Sequence, residues 1–157
     1  MLSQEATAKI DYELTKYPED QRQAAVMSAL RIVQTERGWL SKESITEVAK
    51  YLGIPEIAAM EVASFYNMYD LSPVGKYKIS ICTNISCMLR DSDVIVDHLK
   101  SKLGVGFNEV TPDGKFCLKE GECMGACGGA PLLIVNNHTM HEFLTPEKVD
   151  AILEELK

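Results

Sequence analysis

Two stretches decide how this chain is read: Cys82-Thr-Asn-Ile-Ser-Cys87 and Gly121-Glu-Cys-Met-Gly-Ala-Cys-Gly-Gly-Ala-Pro131. They hold four of the five cysteines as two tight pairs, Cys82/Cys87 and Cys123/Cys127, with residues 88–122 between them. Each pair can wrap one metal ion, and the two lie too far apart in sequence to form a single knuckle. Four thiolates, two for each iron, are what a two-iron, two-sulfide cluster requires. Zinc sites also use paired thiols, but most often as C-x2-C, whereas the spacings here are C-x4-C and C-x3-C. Two disulfides would leave one cysteine over and would want an oxidising compartment. The chain therefore reads first as an electron carrier, with a zinc-stabilised interaction module as the rival.

Moving outward from the first pair, Tyr77-Lys-Ile-Ser-Ile-Cys82 alternates as a strand does and puts Tyr77, Ile79 and Ile81 on one face. A helix is expected over residues 91–103, with Ile95, Leu99 and Leu103 inward and Gly104 as its stop. Thr111-Pro-Asp-Gly114 is a turn before a second strand at 115–120. Residues 132–136 read as a third strand, Asn136-Asn137 as a hairpin turn, and 139–143 as a fourth. Thr145 can cap a last helix with Pro146 in its first turn, burying Val149, Ile152, Leu153 and Leu156. Both cysteine pairs then fall on loops at one edge of a thin sheet. Freed backbone N–H groups there can point at sulfur, and Gly121, Gly125, Gly128 and Gly129 let the chain pass close to an inorganic core.

The hydrophobic period changes from alternating to helical upstream of Leu71-Ser-Pro-Val-Gly75. One amphipathic segment is expected over 3–16, stopping before Pro18, and a second over 19–37, carrying Met27, Leu30 and Val33. Ser41 can cap a third helix with Ile45, Val48, Ala49 and Leu52 on one face and Gly53 at its end. Pro55 belongs in the first turn of a fourth, where Ala58, Val62 and Phe65 share a face. Four helices with short connections make a small bundle.

At 157 residues the chain is long enough for one domain, or for a compact core with an appended helical piece. Acidic residues outnumber basic ones 23 to 16, a net charge of −7, which disfavours nucleic acid and membrane surfaces and points to a protein partner. No apolar run reaches the ~18 residues needed to span a bilayer. Met1-Leu-Ser-Gln-Glu5 lacks the basic start and apolar stretch of a secretory signal, so a reducing, cytoplasmic setting is expected for the thiols. Cys117 lies inside a predicted strand and reads as a packed thiol rather than a ligand. His98 reads as a surface or packing residue, and His138 and His141 lack the Cys-x-His pairing that mixed histidine ligation requires. No nucleotide fingerprint, nucleophile triad or paired-carboxylate pattern is present, so the chain is not expected to be catalytic alone.

The two cysteine stretches, Val62-Ala-Ser-Phe-Tyr-Asn-Met-Tyr69 and Leu144-Thr-Pro-Glu147 together resemble the family of small, thioredoxin-like 2Fe-2S subunits of NADH-quinone oxidoreductase, respiratory complex I. Val135-Asn-Asn-His138 looks most like its proteobacterial members. The resemblance covers nearly the whole chain. It implies an α+β protein, with a helical bundle over residues 1–72 followed by a thioredoxin-like ferredoxin domain with a four-stranded mixed sheet over 73–157. It implies one 2Fe-2S cluster held by Cys82, Cys87, Cys123 and Cys127. It also implies a neighbour, the NADH- and FMN-binding subunit of the same complex, whose flavin exchanges electrons with that cluster, in a peripheral arm on the cytoplasmic side of the inner membrane. Small subunits of NAD-linked formate dehydrogenases and NAD-reducing hydrogenases share the motif and are the nearest alternatives, followed by a free-standing ferredoxin. Cys117 has no counterpart in the motif, and no role is implied for it.

Overall fold

The computed structural model describes residues 1–156; Lys157, the last residue of the expected second domain, lies outside them. Contacts along the chain divide it into two compact units, Met1–Pro73 and Val74–Lys157.

The first unit is helical. Helix α1 (Gln4–Leu14) begins where the Ser3 hydroxyl accepts from the Ala6 N–H at 3.0 Å, satisfying one of the free donors of a helix start. Helix α2 spans Val26–Arg37 and ends at Gly38, whose left-handed backbone only a glycine adopts without strain. The single helix expected over 19–37 is divided: Glu19–Ala25 is a kinked 3-10 stretch, with Gln21 off helical geometry. The cause is tertiary. The Arg22 guanidinium donates to the carbonyls of Tyr51 and Leu52, both at 3.1 Å, and so holds this stretch to the last turn of helix α3 (Lys42–Leu52).

Helix α3 starts under the Ser41 hydroxyl and buries the face expected of it, Ile45, Val48, Ala49 and Leu52. Pro55 sits just outside helix α4 (Glu56–Phe65), at its N-cap. The buried face of α4 is Ala59 and Ala63; Ala58 and Val62 are half-buried, and Phe65 is 80% exposed. Small residues at 59 and 63 let α4 approach α2 and α3 closely, and that approach leaves Phe65 turned to solvent. The Gln34 side chain ties the chain beyond α4, donating to the Met68 carbonyl and accepting from the Asp70 N–H. The core joins Leu30, Val33, Leu40, Ile45 and Leu52, all 0–1% exposed. Burying each such side chain is worth about 1.5–3 kcal/mol.

The second unit is α+β with a thioredoxin-like sheet. Strand β1 (Tyr77–Cys82) leads into a one-turn helix α5 (Ile85–Met88), then helix α6 (Ser92–Leu103), β2 (Glu109–Val110), β3 (Phe116–Gly121), β4 (Leu133–Val135), β5 (Thr139–His141) and helix α7 (Pro146–Glu155). The sheet order is β2-β3-β1-β4-β5, five strands where four were expected. The extra strand has two residues, too few to carry a period of two, and pairs antiparallel with β3 through Glu109↔Leu118 and Val110↔Cys117.

Strand β1 is central, parallel to β3 and antiparallel to β4. It is buried on both faces, with Ile79 and Ile81 on one and Lys78 and Cys82 on the other. Helices α6 and α7 bring Leu99, Val149 and Leu153 onto Ile79, Ile81, Leu118 and Leu133. The turn at 111–114 closes with a Gly114 N–H to Thr111 carbonyl bond of 2.8 Å. The hairpin between β4 and β5 turns on Asn136 and Asn137, with φ of 50° and 60°, the pair of positive values that a two-residue loop of this twist requires. Cys117 lies in β3, 1% exposed, as a packed thiol would.

Candidate metal centre

Parallel pairing of β1 and β3 decides where the cysteines go. Two parallel strands end on the same side of a sheet, and in this register Cys82 stands opposite Gly121. The loops that leave the two strands, one carrying Cys87 and the other Cys123 and Cys127, therefore open at the same edge. Three bonds stitch them there. The Cys82 thiol donates to the Glu122 carbonyl at 3.1 Å, the Thr83 N–H to the Gly121 carbonyl at 3.0 Å, and the Thr83 hydroxyl to the Glu120 carboxylate at 2.9 Å.

The four sulfurs form an inner and an outer pair. Cys82 and Cys87 are 2% and 1% exposed and pack with Ala130 and Leu132 in a small cluster of their own. Cys123 and Cys127 are exposed. Burial, helped by a hydrogen bond with the Cys82 thiol, pushes the Cys87 thiol up to about 11, and the charge of Cys127 adds to the rise, while a hydrogen bond with the Leu132 backbone opposes it. Cys127 is thus within electrostatic reach of the inner pair. A thiol with so high a pKa is protonated at neutral pH, so any metal that binds it must displace that proton.

All five cysteines are free thiols. Among the described residues, no group of three or more His, Cys, Asp or Glu side chains is arranged to hold a metal ion. A single zinc ion asks for four donors around one point, whereas a two-iron cluster asks for two thiolates at each of two points. An inner and an outer pair at one sheet edge fit the second demand.

The glycines of the second loop serve the protein more directly than the sequence suggests. A Cβ at Gly121 would lie 3.2 Å from the Ile81 carbonyl oxygen, and one at Gly129 would meet the Glu142 side chain. Those two glycines make room for neighbouring protein atoms. Gly125 has a φ of +74°, which a residue with a side chain adopts only with strain, and a Cβ at Gly128 would meet nothing.

The residues that hold this loop from the other side carry no motif. Beyond β5, the Phe143 N–H donates to the Gly129 carbonyl at 2.6 Å and the Leu144 N–H to the Pro131 carbonyl at 3.0 Å. Lys148 reaches back to the Glu142 carbonyl. Glu142–Leu144 is therefore a strap across the loop of Cys127, and only the β4–β5 register reveals it. His98 is clear of the centre, bonded to Asp150 between α6 and α7 at 2.8 Å. The His141 imidazole is held below its usual range by burial, with the Lys148 charge adding to the effect.

Residues 10–157 match the model of the thioredoxin-like [2Fe-2S] ferredoxin family. The chain is 40% identical over 148 residues to NADH-quinone oxidoreductase subunit 2 of Thermus thermophilus, covering 94% of this chain and 82% of that protein. It is 44% identical over 145 residues to an NADH-quinone oxidoreductase subunit of Rickettsia bellii, covering 92% and 86%. It is 39% identical to the mitochondrial NADH dehydrogenase [ubiquinone] flavoprotein 2 of Dictyostelium discoideum, covering 99% of this chain and 63% of that one. Among solved structures, the air-oxidised NAD+-reducing [NiFe]-hydrogenase superposes with a TM-score of 0.73 at 21% identity, covering 89% of this chain and 24% of that chain. At that identity the likeness is one of fold.

Proposed function

The chain belongs to the thioredoxin-like [2Fe-2S] ferredoxin family, and from that premise we propose that it is the 2Fe-2S electron-transfer subunit of an NADH-quinone oxidoreductase. One observation carries the reading: two cysteine pairs meet at one sheet edge, in a chain about 40% identical to subunits of that complex along almost its whole length. Cys82 and Cys87 hold the inner iron, and Cys123 and Cys127 hold the outer one. The cluster, when bound, supplies a one-electron site. The chain itself orients four thiolates, excludes water from two of them and sheds the Cys87 proton as the site loads.

The neighbour is the NADH- and FMN-binding subunit, whose flavin splits the two electrons of NADH into single ones. The exposed pair is the side from which an electron enters or leaves, since transfer favours the sulfurs that a partner can approach. No helix among the described residues is long and apolar enough to cross a membrane, in keeping with a place in the peripheral arm on the cytoplasmic side. The sister NAD-reducing hydrogenase reading is weaker, because there the likeness falls to 21% identity and about a quarter of the solved chain.

The test is reconstitution. The purified chain is expected to accept one electron from dithionite yet leave NADH unoxidised, and adding the flavin-binding subunit is expected to restore NADH oxidation. Steady NADH oxidation by the flavin-free chain alone contradicts the proposal.

A further inference from the structure

Among the described residues one buried side-chain oxygen or nitrogen lacks a hydrogen-bond partner, the hydroxyl oxygen of Ser92. Ser92 is 0% exposed and is the first residue of α6. Buried hydroxyls are paired in the great majority of cases, because an unpaired one keeps the full cost of leaving water. The helix that Ser92 opens is equally bare. Asp91, at the N-cap, is left-handed with a φ of 65° and puts no side-chain acceptor over the first turn. A hydroxyl and a helix start, both donors, thus come together with no acceptor from the chain.

Their place is informative. The turn between Cys87 and α6 folds back on the cysteine, the Arg90 N–H donating to the Cys87 carbonyl at 3.0 Å and the Asp91 N–H to the Met88 carbonyl at 3.1 Å. Helix α5, which carries Cys87, packs against α6. The unpaired donors are therefore anchored directly to the loop of an inner cysteine.

We propose that the Ser92 hydroxyl and the open N-terminus of α6 donate to sulfur in the metal centre and favour its reduced state; this rests on the cluster reading above. Reduction adds one electron and no proton, so the acceptor becomes more negative. Hydrogen bonds to ionised acceptors are about twice as strong as neutral ones, and a helix start carries roughly half a positive charge. Both contributions grow as the electron arrives, which raises the reduction potential. Ser92 is a positioning and tuning residue, and no bond to it forms or breaks.

The experiment is an EPR-monitored titration with dithionite of the cluster-loaded wild type, Ser92→Ala and Ser92→Thr. Ser92→Ala is expected to lower the one-electron reduction constant about tenfold, which is 59 mV. Ser92→Thr keeps the hydroxyl and is expected to match the wild type within about twofold. In the metal-free chain, Ser92→Ala is expected to be no less stable to urea than wild type, because it removes an unpaired group. An alanine variant within about twofold of wild type, a threonine variant as low as alanine, or a destabilised metal-free alanine variant overturns the proposal. A wild type that takes up no iron and sulfide overturns the cluster reading, and this proposal with it.

Discussion

The thiol of Cys82 donates to the main-chain carbonyl of Glu122, 3.1 Å away. It ties the last residue of β1 to the residue just before Cys123, so the first ligand of one pair fixes the approach to the second. A loaded site needs Cys82 as a thiolate, which has no proton to donate. Metal binding must therefore release the Glu122 carbonyl, and the loop at 122–125 is expected to differ between metal-free and loaded chains. Amide NMR of the two forms checks this: shifts concentrated at 122–125 are expected, and an unchanged loop contradicts it.

The strap at Glu142–Leu144 makes a second prediction. A methyl group at residue 129 would collide with the Glu142 side chain, whose own Cβ would lie only 2.7 Å away. Gly129→Ala is expected to cost about 1–3 kcal/mol by overpacking. Glu142→Ala in that background is expected to recover only part of the loss, because the Cβ of residue 142 remains. Urea denaturation of the single and double variants reads both, and full recovery would show that the far end of the side chain alone sets the crowding.

The sheet core gives the plainest number. Leu99 is 0% exposed on α6, between the sheet and α7. Leu99→Ala is expected to destabilise the metal-free chain by about 2–5 kcal/mol, measured by urea denaturation. A cost under about 1 kcal/mol would mean that this core repacks freely.

Much of this fold was legible in the residues. Helix caps at Ser3, Ser41 and Thr145 act where their side chains imply, and the Asn136-Asn137 turn lies where expected. Local chemistry sets those features. The kink at Gln21 was not legible, because it depends on Arg22 reaching the end of α3, thirty residues away. The solvent-facing Phe65 is a similar case, decided by which of two apolar faces of α4 meets its neighbours. At the centre, spacing separates the cysteines into pairs, but only the β1–β3 register makes one pair inner and one outer. Glu142 and Ser92 have no sequence signal at all, since their roles arise from contacts across the fold.

Acid should loosen the join between α6 and α7. Hydrogen bonds from His98 and then Lys102 hold the Asp150 carboxyl below the usual range. A depressed carboxylate pKa stabilises the fold above its unfolded value of 3.8, and that contribution is lost as pH falls below it. Asp150→Asn is therefore expected to lower the melting temperature slightly at pH 7, with the difference closing by about pH 3. A difference that widens in acid contradicts the assignment.

A cut between the units tests their independence. All four proposed ligands and the whole sheet lie within Val74–Lys157. We predict that this fragment folds and loads iron yet fails to copurify with the flavin-binding subunit. The helical unit offers the exposed Ile57 and Phe65 for docking, in a stretch, 55–75, that carries Glu56, Glu61 and Asp70 but no basic residue. Normal assembly of the fragment would remove the helical unit from the interface. Failure to hold iron would make the two units one cooperative body.

Ligation is the claim on which everything else stands, and iron and acid-labile sulfide on the purified chain and its five single Cys→Ala variants test it most directly. The wild type is expected to carry about two iron and two sulfide per chain. Replacing Cys82, Cys87, Cys123 or Cys127 should deplete both together, and Cys117→Ala should leave both intact. Zinc in place of iron, or loss of the cluster in Cys117→Ala with one of the other four unaffected, would contradict the account.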